Sequence, residues 1–178
     1  MLPIPLLTGI PDIGTIFTTL NQLITLVNAY APGLLAYSIT AGGNGADTTE
    51  DVLQTFTMPA GTLNANGKGY RIKAWGITAN NAHTKTLRVY HGTTSFSFTL
   101  TASDAGPWEV EMIVMRSGAA AQIAMAKCTD DTAFIATVQS ISGSDTLSSA
   151  LVVKVTGQTS TSAANDIVCN GATIELIQ

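Results

Sequence analysis

The residues Ile13, Ile16, Leu20, Leu23, Val27 and Tyr30 follow one another at intervals of 3, 4, 3, 4 and 3. That is a heptad seam, and it constrains the chain more than any other feature. A helix with such a stripe has an apolar face that needs covering, so the spacing predicts a helix that associates with copies of itself. Phe17, Ile24 and Leu26 widen the stripe beyond a two-stranded seam, which favours three or more helices, or a helix also covered by the rest of its own chain. The other reading is one amphipathic helix packed on its own β domain. Pro11 or Asp12 suits the first turn and Pro32-Gly33 the stop, so residues 12–33 form the expected oligomerising segment, roughly 27 Å of helix.

Before it, residues 1–11 are apolar and interrupted by Pro3, Pro5 and Pro11, which prevent a helix. An extended arm is expected, with Leu2, Ile4, Leu6, Leu7 and Ile10 offered to a groove on a partner or a neighbouring subunit. A disordered terminus is the alternative. No Lys or Arg precedes Lys68, so this N-terminus does not read as a secretory signal. The uncharged span from Gly14 to Leu35 contains Thr15, Thr18, Thr19, Asn21, Gln22, Thr25 and Asn28 and lacks basic flanks, which argues against a membrane helix.

From residue 34 to 178 the pattern changes to short β-type runs separated by Gly, Asn, Asp and Ser. Strands are expected at 34–40, 52–58, 70–78, 86–91, 96–100, 107–115, 119–128, 133–141, 147–155 and 167–176. In the second of these Val52, Gln54, Phe56 and Met58 should share a face. Tyr70, Ile72 and Ala74 should oppose Arg71, Lys73 and Trp75, and Trp108, Val110, Met112 and Val114 should line the clearest buried face. About ten strands without a helical period among them predict a mainly β, antiparallel sandwich of jelly-roll type.

Only 11 per cent of the residues are charged, against about 25 per cent in ordinary domains. Such a surface suits a protein packed against neighbours, where every desolvated charge is unfavourable. The net charge of −4 argues against a nucleic-acid partner, which demands a basic stripe. Cys128 and Cys169, 41 residues apart, read as small buried hydrophobes, with a disulfide between them as the other reading.

No constellation for catalysis is evident. His83 and His91 lie near expected turns with no nucleophile elbow or cysteine partner, and read as solvated or capping residues. Glu109 and Glu111 stand two apart on one strand and read as a solvated stripe rather than a glycosidase pair. Asp130-Asp131 and the run 45–51 lack the spacing of a calcium loop and read as turns. Trp75, Tyr70, Tyr90 and Trp108 could stack on sugars, though aromatic residues of a sandwich mostly fill its core. The expectation is a chain that is not an enzyme, with no cofactor and no metal.

Several runs resemble a known group. Thr55-Phe56-Thr57-Met58-Pro59-Ala60-Gly61-Thr62-Leu63, Asn66-Gly67, Tyr70 to Gly76 and Lys85 to Gly92 are similar to β-sandwich modules of tailed-phage structural proteins. Trp108 to Glu111, Lys154 to Gln158 and Asn165 to Val168 continue the likeness, which covers most of residues 56–176. The resemblance implies a virion protein, assembled in the host cytoplasm, of the kind found in head decorations, head fibres and tail appendages, frequently as trimers. The expected partners are copies of itself and the major capsid protein or another virion protein. A tail-fibre or receptor-binding subunit that recognises host glycans is the runner-up. The helix lies outside the resembling region.

Overall fold

The computed structural model describes residues 12–30, 33–100, 105–131, 134–135 and 141–177. The chain divides into two compact units, Met1–Ala31 and Pro32–Gln178.

Within the first unit, helix α1 spans Ile13–Tyr30. Asp12 is its N-cap: the carboxylate accepts from the Thr15 backbone N–H at 2.9 Å and from the Thr15 hydroxyl at 2.8 Å. This satisfies one of the donors that a helix leaves unpaired at its start. The Thr15 bonds also hold the Asp12 carboxyl below its usual value. Thr18 and Thr19 return their hydroxyls to the carbonyls of Gly14 and Thr15, so each hydroxyl finds its partner within the helix.

The second unit is built from β1 (Leu34–Ser38), β2 (Gly42–Gly43), β3 (Asp51–Met58), β4 (Gly69–Thr78), β5 (Lys85–His91), β6 (Thr94–Leu100), β7 (Pro107–Gly118), β8 (Ala121–Asp130), β9 (Phe134–Ile135), β10 (Ile141–Gly143), β11 (Leu151–Thr159) and β12 (Ile167–Ile177). One sheet runs β1-β12-β4-β7-β8-β10, with β2 paired to β12 and β9 to β8; the other runs β3-β11-β5-β6. Every pairing is antiparallel. Taken in chain order, the principal strands β1, β3, β4, β5, β6, β7, β11 and β12 give the orders first-eighth-third-sixth and second-seventh-fourth-fifth. That is jelly-roll order, with the β8–β10 extension added beyond β7.

Alternation sorts the side chains as expected on most strands. Tyr70, Ile72 and Ala74 of β4 and Trp108, Val110, Met112 and Val114 of β7 point into one core with Leu87, Val89, Phe96, Phe98, Val153 and Val155 from the facing sheet. The two-residue loop between β5 and β6 needs a positive φ, which Gly92 supplies at 54°. Its other residue, Thr93, is held by Asp145, whose carboxylate accepts from the Thr93 N–H and hydroxyl, each at 3.1 Å.

Three expectations are corrected. Val52 does not share a face with Phe56 and Met58: it is exposed, while Leu53 is buried. The register passes from Gln54 opposite Val155 to Val52 opposite Thr156, so Leu53 is the extra residue of a β-bulge that reverses the alternation. β11 begins at Leu151 rather than 147, because the stretch before it is a loop with Leu147 plugged into the core. The strand expected over 133–141 is represented by the short pieces β9 and β10, with residues 132–133 and 136–140 outside the described residues.

Candidate functional site

The heptad positions Ile13, Ile16, Leu20, Leu23, Val27 and Tyr30 all fall on α1. The first four are exposed, from 46 % for Leu20 to 72 % for Ile13, and Phe17 beside them is exposed as well. Burying one such side chain fully would stabilise by about 1.5–3 kcal/mol. The arm residues Leu2, Ile4, Leu6, Leu7 and Ile10 lie outside the described residues. Among the described residues no helix is long and apolar enough to cross a membrane.

The carboxylates behave as surface and turn residues. Glu109 pairs with Lys73 at 2.9 Å, Glu111 with Lys127 at 3.7 Å and Glu175 with Arg71 at 2.6 Å, all on the outer face of the β1-containing sheet. Exposed pairs of this kind contribute at most about 1 kcal/mol each, so they keep the face wetted rather than hold the fold together. In the run 45–51, Asp47 accepts from the Thr49 N–H and hydroxyl and Asp51 accepts from the Gly45 N–H, which fixes the loop. Among the described residues no three metal-ligating side chains gather.

Neither histidine is a simple solvated residue. His83 Nδ1 lies 2.6 Å from Asp166, which also accepts from Asn81 at 2.7 Å. Beside them the buried Lys85 ammonium donates to Asn81 Oδ1 at 2.9 Å and to the carbonyls of Asn81 and His83. This lysine occupies the oxygen-lined hollow of its own loop, and burial lowers its pKa against the opposing pull of Asp166. His91 corrects the sequence reading more sharply, being buried in the sandwich with Nδ1 2.7 Å from the Tyr70 hydroxyl. Its Nε2 stands 4.0 Å from Asp145 Oδ2, and neither of those two atoms has a hydrogen-bond partner. Strand parity held the clue: His91 follows Leu87 and Val89 at intervals of two, on the buried face of β5. A tyrosine, a histidine and an aspartate in line have the composition of an acid–base relay, but solvent reaches neither Tyr70 nor His91, so a substrate has no approach to them in this conformation.

On the outer face of the second sheet Glu50 gathers Thr156 at 2.5 Å, Tyr90 at 2.7 Å and Arg88 at 3.1 Å. Burial works against its charge, but the Thr156 and Tyr90 bonds with the charges of Arg88 and Lys154 outweigh it and leave the carboxyl below its usual value. The Lys154 ammonium sits 4.4 Å from the centre of the Tyr90 ring, so a cation already lies over that ring. Of the aromatic residues named from sequence, Tyr70 and Trp108 are core and Tyr90 is capped; Trp75 alone reaches solvent with its ring unclaimed by a cation. Tyr37, which the sequence reading passed over, is more exposed still, on the same outer face as Trp75.

Between the edge strands β1 and β3 the sandwich opens into a crevice of about 80 Å³ lined chiefly by Ala36, Phe56, Ile72, Val153 and Ile174. Gln54 donates to the Thr40 carbonyl at 2.6 Å, tying β3 to the chain segment that leaves β1.

No family model matches the chain, and no curated protein matches it. Among solved structures it is similar to the CBM2 module of the evolved Dit of Lactobacillus casei BL23 phage J-1, with a TM-score of 0.36 and 7 % identity over 68 % of this chain and 67 % of that one.

Proposed function

We propose that the chain is a structural protein of a tailed-phage virion: a trimeric capsid decoration, cement or head-spike subunit, attached to the particle through its N-terminal region. The observation that carries this reading is the exposed set Ile13, Ile16, Phe17, Leu20 and Leu23 on α1, part of a sequence stripe that is too wide for a pair of helices and has no charged flanks of the kind that keep a solvated coiled coil apart from its surroundings. The likeness of residues 56–176 to phage sandwich modules and the scarcity of charged residues point the same way. A subunit that binds only the assembled shell stabilises it by mass action. Particles lacking the protein should therefore fail at lower temperature or under milder osmotic shock, while adsorbing to host cells at the normal rate. Normal survival with lost adsorption would overturn the reading and place the chain at the tip of a tail fibre.

A further inference from the structure

The outer face of the β1-containing sheet carries an aromatic arrangement that neither the core nor the helix explains. In β12 the register passes from Cys169 opposite Gly76 to Gly171 opposite Trp75, so Asn170 is the extra residue of a second bulge. The bulge turns Gly171 outward, and the Trp75 indole lies across it: a Cβ built on Gly171 would fall 2.5 Å from Cζ2 of that ring and 3.0 Å from the Ser38 carbonyl of β1. A side chain of any size at 171 would lift the indole off the sheet. The ring is thus seated on backbone, reaching from β4 over β12 towards β1, with 37 % of the residue open to solvent. Tyr37 of β1 stands opposite Thr173, which in turn stands opposite Lys73, one outward-facing row along from Trp75. It is 68 % exposed.

The surroundings of this pair are mixed: Ile77, two residues along β4 from Trp75, and Ile39, just beyond the end of β1, expose apolar side chains, while the charges nearby are balanced. Glu109 lies directly opposite Trp75 and pairs with Lys73, one positive and one negative charge at 2.9 Å. Asn170 and Thr173 supply an amide and a hydroxyl from the strand under the indole. The surface is a sheet face, open along its length, rather than a pocket.

We propose that Trp75 and Tyr37 form a shallow platform that binds neutral carbohydrate side-on. The C–H face of a pyranose ring is an apolar plane edged by hydroxyls, and it matches an aromatic plane edged by mixed donors and acceptors. The paired Lys73 and Glu109 present both hydrogen-bonding senses with no net charge, which suits hydroxyls better than sulfated or phosphorylated groups. An aromatic ring held over glycine binds without losing further freedom, since its position is fixed before the ligand arrives. The site takes hexopyranose units of a chain, and its openness gives weak, reversible binding that gains strength only when several copies act together. This inference does not depend on where the protein sits on a particle.

Calorimetry of the full chain with cellopentaose, maltopentaose and N-acetylchitopentaose tests it. Binding of at least one of them is expected, weakened by about tenfold or more in Trp75→Ala and partly retained in Trp75→Phe, with Tyr37→Ala intermediate. The chain has two tryptophans and Trp108 is buried, so a ligand-induced change in tryptophan emission reports Trp75. Unaltered melting temperatures of the Tyr37 and Trp75 variants would separate lost binding from lost folding. Failure of all three sugars to bind, or equal binding by wild type, Trp75→Ala and Tyr37→Ala, would overturn the proposal. So would shielding of Trp75 from acrylamide in the intact oligomer, which would make this face a contact between subunits.

Discussion

The Tyr70 hydroxyl and His91 Nδ1 share a 2.7 Å hydrogen bond at a point in the sandwich that solvent does not reach. Burial raises the Tyr70 pKa, with the Asp145 charge adding to the effect, so the phenol keeps its proton. Burial lowers the His91 pKa, and the Asp145 charge opposes that only in part. A neutral imidazole that accepts from Tyr70 and carries its proton on Nε2, facing Asp145, suits both neighbours.

The folded state therefore resists protonation of His91 more than the unfolded chain does. His91 contributes stability that is fully present above the ordinary histidine value of 6.5 and is lost as the pH falls through that value towards the lower folded one. The melting temperature should decline as the pH falls from neutral through 6.5. In His91→Gln, where nothing titrates at this position, that part of the decline should flatten. An unchanged slope would mean that His91 takes up its proton in the fold without strain. Tyr70→Phe leaves Nδ1 without its partner and should destabilise by about 1–3 kcal/mol at neutral pH in urea titration.

How much of this could be read beforehand depends on the range of the cause. Alternation along β4 and β7 is a property of neighbouring residues, so Tyr70, Ile72, Val110 and Met112 were legible as core. The bulges at Leu53 and Asn170 arise from pairing with strands distant in sequence, and no local pattern announces them. They decide that Val52 faces out and that Gly171 lies under Trp75. His91 was misread because its proximity to a turn outweighed its parity with Leu87 and Val89. The heptad was legible because it is a repeat within one element.

Cys128 and Cys169 are free and buried, and burial pushes their thiols up to about 12 and about 11. The thiolate is the reactive form, so both should be inert towards a disulfide reagent at pH 8 in the native protein. Two equivalents should react rapidly once the sandwich is unfolded in guanidinium. Fast reaction of either in the native state would show that β8 or β12 opens locally.

The N-terminal arm is predicted to hold the protein on its particle. Residues 1–11 carry apolar side chains and no charged ones, while the sandwich core draws on residues from Leu53 to Ile174. Deletion of 1–11 should leave the melting transition of the β domain in place and abolish occupancy on virions, measured by quantitative gel analysis of purified particles. Unchanged occupancy would move the attachment surface to the sandwich.

The helix stripe gives the sharpest test of assembly. Leu20 and Leu23 are about half exposed in the single chain and occupy the two alternating positions of the seam. Association would bury them, and a carboxylate at either site would then be desolvated without a partner, at several kcal/mol per subunit. The double replacement Leu20→Asp and Leu23→Asp should convert a trimer into a monomer, as measured by the mass in solution. It should leave the strand signal of the sandwich unchanged, because neither residue belongs to that core. A single exposed Thr, such as Thr18→Asp, serves as the control for added charge alone and should leave the mass as it was. If the unaltered chain is already a monomer at micromolar concentration, the stripe is not a self-association seam, and the proposed trimer falls with it.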